Sequence, residues 1–441
     1  MKQIALFLIA AAGFMACKRD NPDVVPVNLT VQVTHSLSLT EQNAFPYEQV
    51  AVTIRNLQNG SETTQQVGNN GQVTFAAIPV GRYDVTAAVT LRQADYLQLT
   101  GIDPGADVSL NASVLQQEIS VGFANTIELE LISGTQGAFV LKQIYYGGSD
   151  NRDGALFRDQ FVEIYNNTGE VLYADGLYIA RLWGRQRPDT DGHHFQANGQ
   201  FDWSRSKDMP AHLDANRDYV YLRDLLRIPG DGNTYPVQPG ESIIIAQNAL
   251  NHKTPYTGHN GREISVRNPD LTVDLSGADF EVYYGDLPGR TPFNSDIDNP
   301  SVPNMVVIKH TGNDWILDNN GRDSYVIFRA ENGLDVTALP EYFAPSLNEP
   351  NQSANTYIQL PISYIMDAVE VQPTPMEDRI PKKLQPQHDA GYTFVTGGAY
   401  SSQAVMRRVK ETVNGRKVLQ DANNSSADFV SIKANPRGFA E

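Results

Sequence analysis

The stretch RPDTDGHHFQ, residues 187–196, places Asp189, Asp191, His193 and His194 within six positions. Carboxylate oxygen and imidazole nitrogen together suit zinc or another first-row divalent ion. On a strand the adjacent histidines would point to opposite faces and at most one could join a site, whereas on a loop both could converge. His212, or His252 and His259 from NHKTPYTGHNG (251–261), could complete the shell. The competing reading is a solvated turn, because Pro-Asp and Asp-Gly are strong turn formers. A second acidic loop, GSDNRDGALFRD (148–159), offers Asp150, Asn151, Asp153 and Asp159 to calcium, but Gln160 stands where a bidentate Glu should close the loop. The cofactor expectation is therefore limited to a divalent metal, zinc or calcium.

Aromatic side chains supply a different chemistry. Tyr178, Trp183, Phe195 and Trp203, with Tyr221 nearby, gather around the same stretch. Such groups form surfaces that hold sugars, flat rings or protein loops, although most aromatics in a β-sandwich are core. Catalytic signatures are missing. The chain has no Gly-x-Ser-x-Gly elbow, no His-Glu-x-x-His, no phosphate-cradling Gly-x-x-x-x-Gly-Lys-Ser/Thr and no Gly-x-Gly-x-x-Gly after a strand. The expectation is a binding protein and not an enzyme.

One cysteine, Cys17, stands among 441 residues, so neither an intramolecular disulfide nor a thiolate cluster can be drawn. Before it come Lys2 and the apolar run IALFLIAAAGFMA, which is shorter than the roughly 20 residues needed to span a bilayer. Residues 1–16 resemble a bacterial lipoprotein signal peptide, with Ala16 as the small residue before the cysteine. The resemblance implies cleavage there and acylation of Cys17, and several acyl chains anchor a protein stably. KRDNPDVVP after Cys17 reads as a tether, so that 17–26 links membrane to body. It also loosely resembles the charged tag of lipoproteins exported to the outer face of the outer membrane in Bacteroidetes. The implied address is the outer membrane, facing the cell exterior.

The formal net charge is −17, and loss of Lys2 with the leader makes it −18, which argues against nucleic acid as a partner. Gly 34, Pro 25 and Tyr 20, with few helical patterns, indicate an all-β chain. From residue 27 short alternating strands follow one another: VNLTVQVTH, EQVAVTIRN, QVTFAAIP after Asn70-Gly71, GRYDVTAAVTL, DVSLNASV and NTIELELI. Asn-Gly between apolar runs predicts a hairpin. Residues 27–133 thus form a small β-sandwich, with Val73, Phe75 and Ala77 on one face of their strand. The segment is similar to the carboxypeptidase regulatory-like, prealbumin-type module, whose Pro-x-Gly-x-Tyr turn is matched by Pro79-Val80-Gly81-Arg82-Tyr83. In that family the module is a spacer.

Beyond a linker at 134–138, FVLKQIYYGG and QFVEIYNNTGE open a second region, 139–441. Gln160–Asn167, Ala174–Ile179 and YPVQPGESIIIAQ (235–247) look like a lamin-tail-type immunoglobulin-like β-sandwich. Large insertions would then lie near 185–234, 250–320 and 335–395. With ADFEVYYGD and LQDANNSSADF, the chain resembles the uncharacterised Bacteroidetes lipoprotein family called domain of unknown function 4876. Relatives are commonly encoded with TonB-dependent outer-membrane transporters, so the resemblance suggests a TonB-dependent barrel as partner. Three functions stay open: a surface-anchored binding or accessory subunit of such an uptake system, a structural or adhesive surface protein, and a metal-dependent extracellular hydrolase.

Overall fold

The computed structural model describes residues 26–40, 43–105, 107–122, 125–134, 137–331 and 333–440. Cys17, the leader and nearly all of the tether lie outside them. The fold is all-β: strands carry the structure, and among the described residues the longest helix is Gln93–Thr100. Among the described residues, no helix is long and apolar enough to cross a membrane.

Strands β1 (Val27–His35), β2 (Ala51–Asn56), β3 (Glu62–Gln66), β4 (Gln72–Ile78), β5 (Gly81–Leu91), β6 (Val108–Ile119) and β7 (Thr126–Ser133) follow the order β3-β2-β5-β6-β7-β1-β4. β6 and β7 share only the pairs Leu110↔Ser133 and Asn111↔Ile132, so the order folds there into two leaves. Alternate residues fill the space between them: Leu29, Val31 and Val33 from β1, Val52 and Ile54 from β2, Phe75, Val85 and Leu129 from the others. The period-2 pattern is thus one buried face per strand. Two expectations need correction. Asn70-Gly71 does turn the chain, with Gly71 at φ 77°, but β4 pairs with β1 and not with β3, so the turn carries the chain between leaves instead of closing a hairpin. Ala77 leaves the buried face because it adopts φ 53° and gives its N–H to Asn28 Oδ1. The Tyr83 hydroxyl reaches back across its turn to Pro79 O at 2.8 Å.

Two further large sheets follow. One runs in the order Glu341–Phe343, Thr356–Pro361, Tyr219–Arg227, Leu177–Leu182, Ser324–Arg329, Ile365–Glu370, with Val306–Lys309 also against Tyr219–Arg227. The other has the order Phe280–Glu281, Ser242–Ala246, Phe161–Asn166, Phe139–Tyr145, Gln403–Arg407, Phe429–Lys433. Between them lies a core that includes Leu141, Ile164, Leu177, Ile179, Ile245, Ile327 and Val405. The segments read as insertions are therefore not only loops. Tyr219–Arg227, Val306–Lys309, Thr356–Pro361 and Ile365–Glu370 are strands of the first of these sheets. Sequence patterning hid them because that sheet is covered on both sides: Leu177 and Ile179 face the inter-sheet core, while Tyr178, Ala180 and Leu182 face a second cluster. A strand buried on both faces loses its alternation.

Charged side chains are locked inside this sandwich in pairs. Lys142 Nζ meets Glu163 Oε1 at 2.7 Å, and Arg407 meets Asp367 at 2.7 Å and Asp421 at 3.0 Å. Arg181 reaches Asp323 at 3.1 Å and also Asp224, and Arg158 holds Asp314.

Candidate functional site

The sequence-derived aromatic set divides. Tyr178 stacks on Phe328, centroids 4.8 Å apart, inside a core cluster, so its role is packing. Trp183, Phe195 and Trp203 do come together: Trp203 lies 3.6 Å over Tyr221, Trp183 lies 4.9 Å over Tyr357, and Phe195 is 6.0 Å from Phe201.

The acid–histidine stretch does not converge. His193 Nδ1 contacts the Asp191 carbonyl at 3.0 Å and its ring stacks on Phe201 at 4.9 Å, while the His194 N–H binds Pro345 O at 2.8 Å. Asp189 and Asp191 are exposed. His252 is buried, its Nε2 donates to Asn248 O at 3.2 Å, and burial lowers it to about 4. His259 Nε2 donates to Asp296 O at 2.7 Å. In the calcium-like loop Asp150 Oδ1 accepts from the N–H groups of Arg152 and Asp153, both at 2.8 Å, which makes it a turn. Asp159 sits apart in the interior beside the Tyr145 hydroxyl, and burial pushes it up to about 7. Among the described residues no three His, Cys, Asp or Glu side chains are placed to hold a metal ion.

A cavity of about 590 Å³ lies at the seam between the N-terminal sandwich and the rest of the chain. One wall is Ser113–Glu118 of β6. The others are Trp183, Trp203, Tyr219 and the segment 379–386, closed by Gln372 and Tyr392. The seam is fastened by Tyr392, whose hydroxyl donates to Asp84 Oδ2 at 2.9 Å, and by Asn111 Nδ2, which donates to Ala422 O at 2.7 Å. Burial raises the Asp84 carboxyl. Asp84 Oδ1 in turn accepts the Gln116 N–H at 2.8 Å and holds that non-glycine residue at φ 56°, beside the bulge between Tyr83 and Val85. Left-handed backbone in a residue with a Cβ is strained and clusters at functional sites. Arg379 donates to the Tyr392 hydroxyl at 2.8 Å, and its guanidinium lies 4.9 Å over Tyr392 and 4.8 Å over Phe394.

Amides dominate the lining. Gln200 ties two loops, accepting from the Arg185 N–H at 2.7 Å and donating to Pro381 O at 2.9 Å. Gln385 Nε2 donates to Tyr219 O at 3.2 Å, whereas its Oε1 is buried without a partner. On the other side of Trp183 a second cleft, about 750 Å³, opens between loops and includes Asp189, Asp191, His193, Glu349 and Tyr357. Trp183 and Trp203 were legible as candidates. Arg379, Lys382 and Tyr392 were not, since Tyr392 meets Asp84 across 308 residues and no local spacing announces such a contact. The Pro381-Lys382-Lys383 tripeptide was the one available signal.

Residues 238–436 match a family model described as a protein of unknown function, DUF4876. No curated protein matches the sequence. The crystal structure of a DUF4876 family protein from Bacteroides thetaiotaomicron is similar at TM-score 0.51 and 25% identity, covering 92% of this chain and 95% of that one. Two other solved structures are much more distant. A candidate adhesin from Bacteroides ovatus has TM-score 0.17 and 9% identity, over 35% of this chain and 54% of its own. A streptococcal ancillary pilin has TM-score 0.15 and 9% identity, over 57% and 62%. Likeness at those scores says nothing of what this chain does. The resemblance read from ADFEVYYGD and LQDANNSSADF therefore holds: residues 238–436 match the DUF4876 family model, in a chain with the overall fold of a solved member.

Proposed function

We propose that the protein is a non-enzymatic binding subunit, anchored in the outer membrane by lipid on Cys17, facing the cell exterior and serving a TonB-dependent uptake barrel. The observation that supports this reading is the seam cavity. Its volume of about 590 Å³ is in the range of small-molecule sites, roughly 300–1,000 Å³. Its lining of amides, rings and cations is suited to holding a small polar ligand. Two regions contribute walls, so a bound ligand would also brace the seam.

The test is a pull-down of C-terminally tagged protein from gently solubilised outer membranes, with mass spectrometry of what copurifies. A TonB-dependent barrel recovered near one-to-one supports an accessory subunit. Recovery alone, or with other surface fibres, overturns that role in favour of a structural or adhesive one. Cys17→Ser tests the anchor separately: the variant should move from the membrane to the soluble fraction, and retention in the membrane would sink the lipid assignment.

A further inference from the structure

The second of the two large sheets turns one face to the inter-sheet core and carries buried polar side chains on the other. Lys142, Gln143 and Glu163 are each no more than 1% exposed. The pairing register slips between Leu141 and Gln143, and two successive residues of Phe139–Tyr145 both reach Glu163 on the neighbouring strand. Lys142 Nζ donates to Oε1 at 2.7 Å and Gln143 Nε2 to Oε2 at 3.0 Å, while Ser242 Oγ adds a third bond. Residues 434–440 lie across this group.

That segment leaves the edge strand Phe429–Lys433 and crosses the sheet. Gln143 reads the Asn435 backbone on both sides, its Nε2 donating to the carbonyl at 2.9 Å and its Oε1 accepting the N–H at 3.0 Å. Glu163 Oε2 accepts the Arg437 N–H at 3.2 Å, and the Arg437 guanidinium reaches Ser242 O and Asp279 Oδ2, both at 2.8 Å. Phe439 lies 3.9 Å from the Lys142 ammonium and edge-on to Tyr165 at 5.9 Å. Among the described residues, the ladder to Gln403–Arg407 stops at Lys433 and the next bridge is at Ala440. Between them the chain is held as a groove holds a peptide, by side chains on its backbone, an anchored cation and a seated ring.

The groove also keeps its own charges paired. Glu163 holds Lys142, Gln143 and Ser242 without help from the segment, so withdrawing it strands no buried charge. The same residues of another copy would restore every contact, and the strand that precedes them stands at a sheet edge, where another copy can approach. We infer that two copies of this chain exchange residues 434–440, each filling the other's groove over Lys142, Gln143 and Glu163. This surface is separate from the seam cavity and does not depend on it.

The test is complementation, read by size-exclusion chromatography with light scattering on the full mature chain carrying Cys17→Ser. The parent should show a dimer whose share grows with concentration. Gln143→Leu spoils the groove but leaves the Lys142–Glu163 pair, and Phe439→Ala spoils the segment but leaves the groove. Each variant alone should dimerise at least about tenfold more weakly, and an equimolar mixture should recover the dimer, because one sound segment then meets one sound groove. A parent that stays monomeric overturns the exchange, and so does a dimer that both variants keep. If Gln143→Leu fails to fold, a labelled peptide of residues 434–440 takes its place. It should bind the Phe439→Ala chain at least about tenfold more tightly than the parent, whose groove is filled, and equal binding overturns the site.

Discussion

In the N-terminal sandwich β1 sends Leu29, Val31 and Val33 inward and leaves its other residues partly or fully exposed, whereas Leu177–Leu182 is buried at all six positions. The ion pairs differ in the same way. Among the described residues the first region's pair, Arg55 with Glu62 at 3.5 Å, lies at the surface, while the second has surface pairs such as Lys207 with Glu349 at 2.7 Å and also holds Lys142, Arg181 and Arg407 paired in its interior. A sandwich of about 105 residues closes on one core. The larger region covers a sheet on both faces with its own long connections, and those layers trap polar groups that must then be paired. Size and layering, more than composition, separate the two.

The sharpest way to break this contrast is Arg407→Met. It leaves Asp367 and Asp428 buried around an absent cation, and should cost about 3–5 kcal/mol by urea denaturation. A loss under about 1 kcal/mol would mean that the interior pairs do not hold the layers together.

pH offers the next largest effect. Burial raises Asp159 and Glu281 to about 7 and Asp296 to about 8. Each favours the protonated folded state, so the stability they contribute is present at low pH and is lost as pH climbs through 7 and 8. His252 and His388 are lowered to about 4, so their contribution is lost as pH falls from the ordinary histidine value toward 4. Thermal stability should therefore decline as pH rises from about 6 to 9, a decline that Asp296→Asn should soften. A melting temperature that rises steadily from pH 6 to 9 would refute the assignment.

Tyr392→Phe sharpens the comparison at the join itself. Removing the hydroxyl between Arg379 and Asp84 should cost about 1.5–3 kcal/mol and speed amide exchange along Ser113–Glu118. Unchanged exchange would show that the two regions meet without depending on this contact. Smallest of all, Arg55→Ala should shift stability by no more than about 0.5 kcal/mol, which a paired melting curve would show.

Where one face of a strand is wet, the sequence spoke clearly. β1, β2, β5 and β7 follow from alternation, and the Pro79–Tyr83 turn is visible in five residues. Tyr219–Arg227 carries no strand signal of its own, because YVYLRDLLR is apolar on both sides and interrupted by Asp224, whose charge is answered by Arg181, distant in sequence. The same blindness held at the cavity. Trp183 and Trp203 could be nominated by type, but Asp84, Tyr392 and Arg379 become one arrangement only when the chain has closed on itself. Asp189, Asp191, His193 and His194 looked like ligands by proximity, and backbone direction separated them.

The pairing of β1 with β7 has a mechanical meaning. The strands are parallel and joined over six residue pairs, from Thr30↔Thr126 to His35↔Leu131. Chain entering before Val27 and chain leaving after Ser133 therefore pull at opposite ends of one ladder. Tension along that line loads all six pairs together in shear, whereas an antiparallel pair pulled from one end would open like a zip. A body held at its N-terminus in flowing surroundings would meet that drag with its strongest geometry.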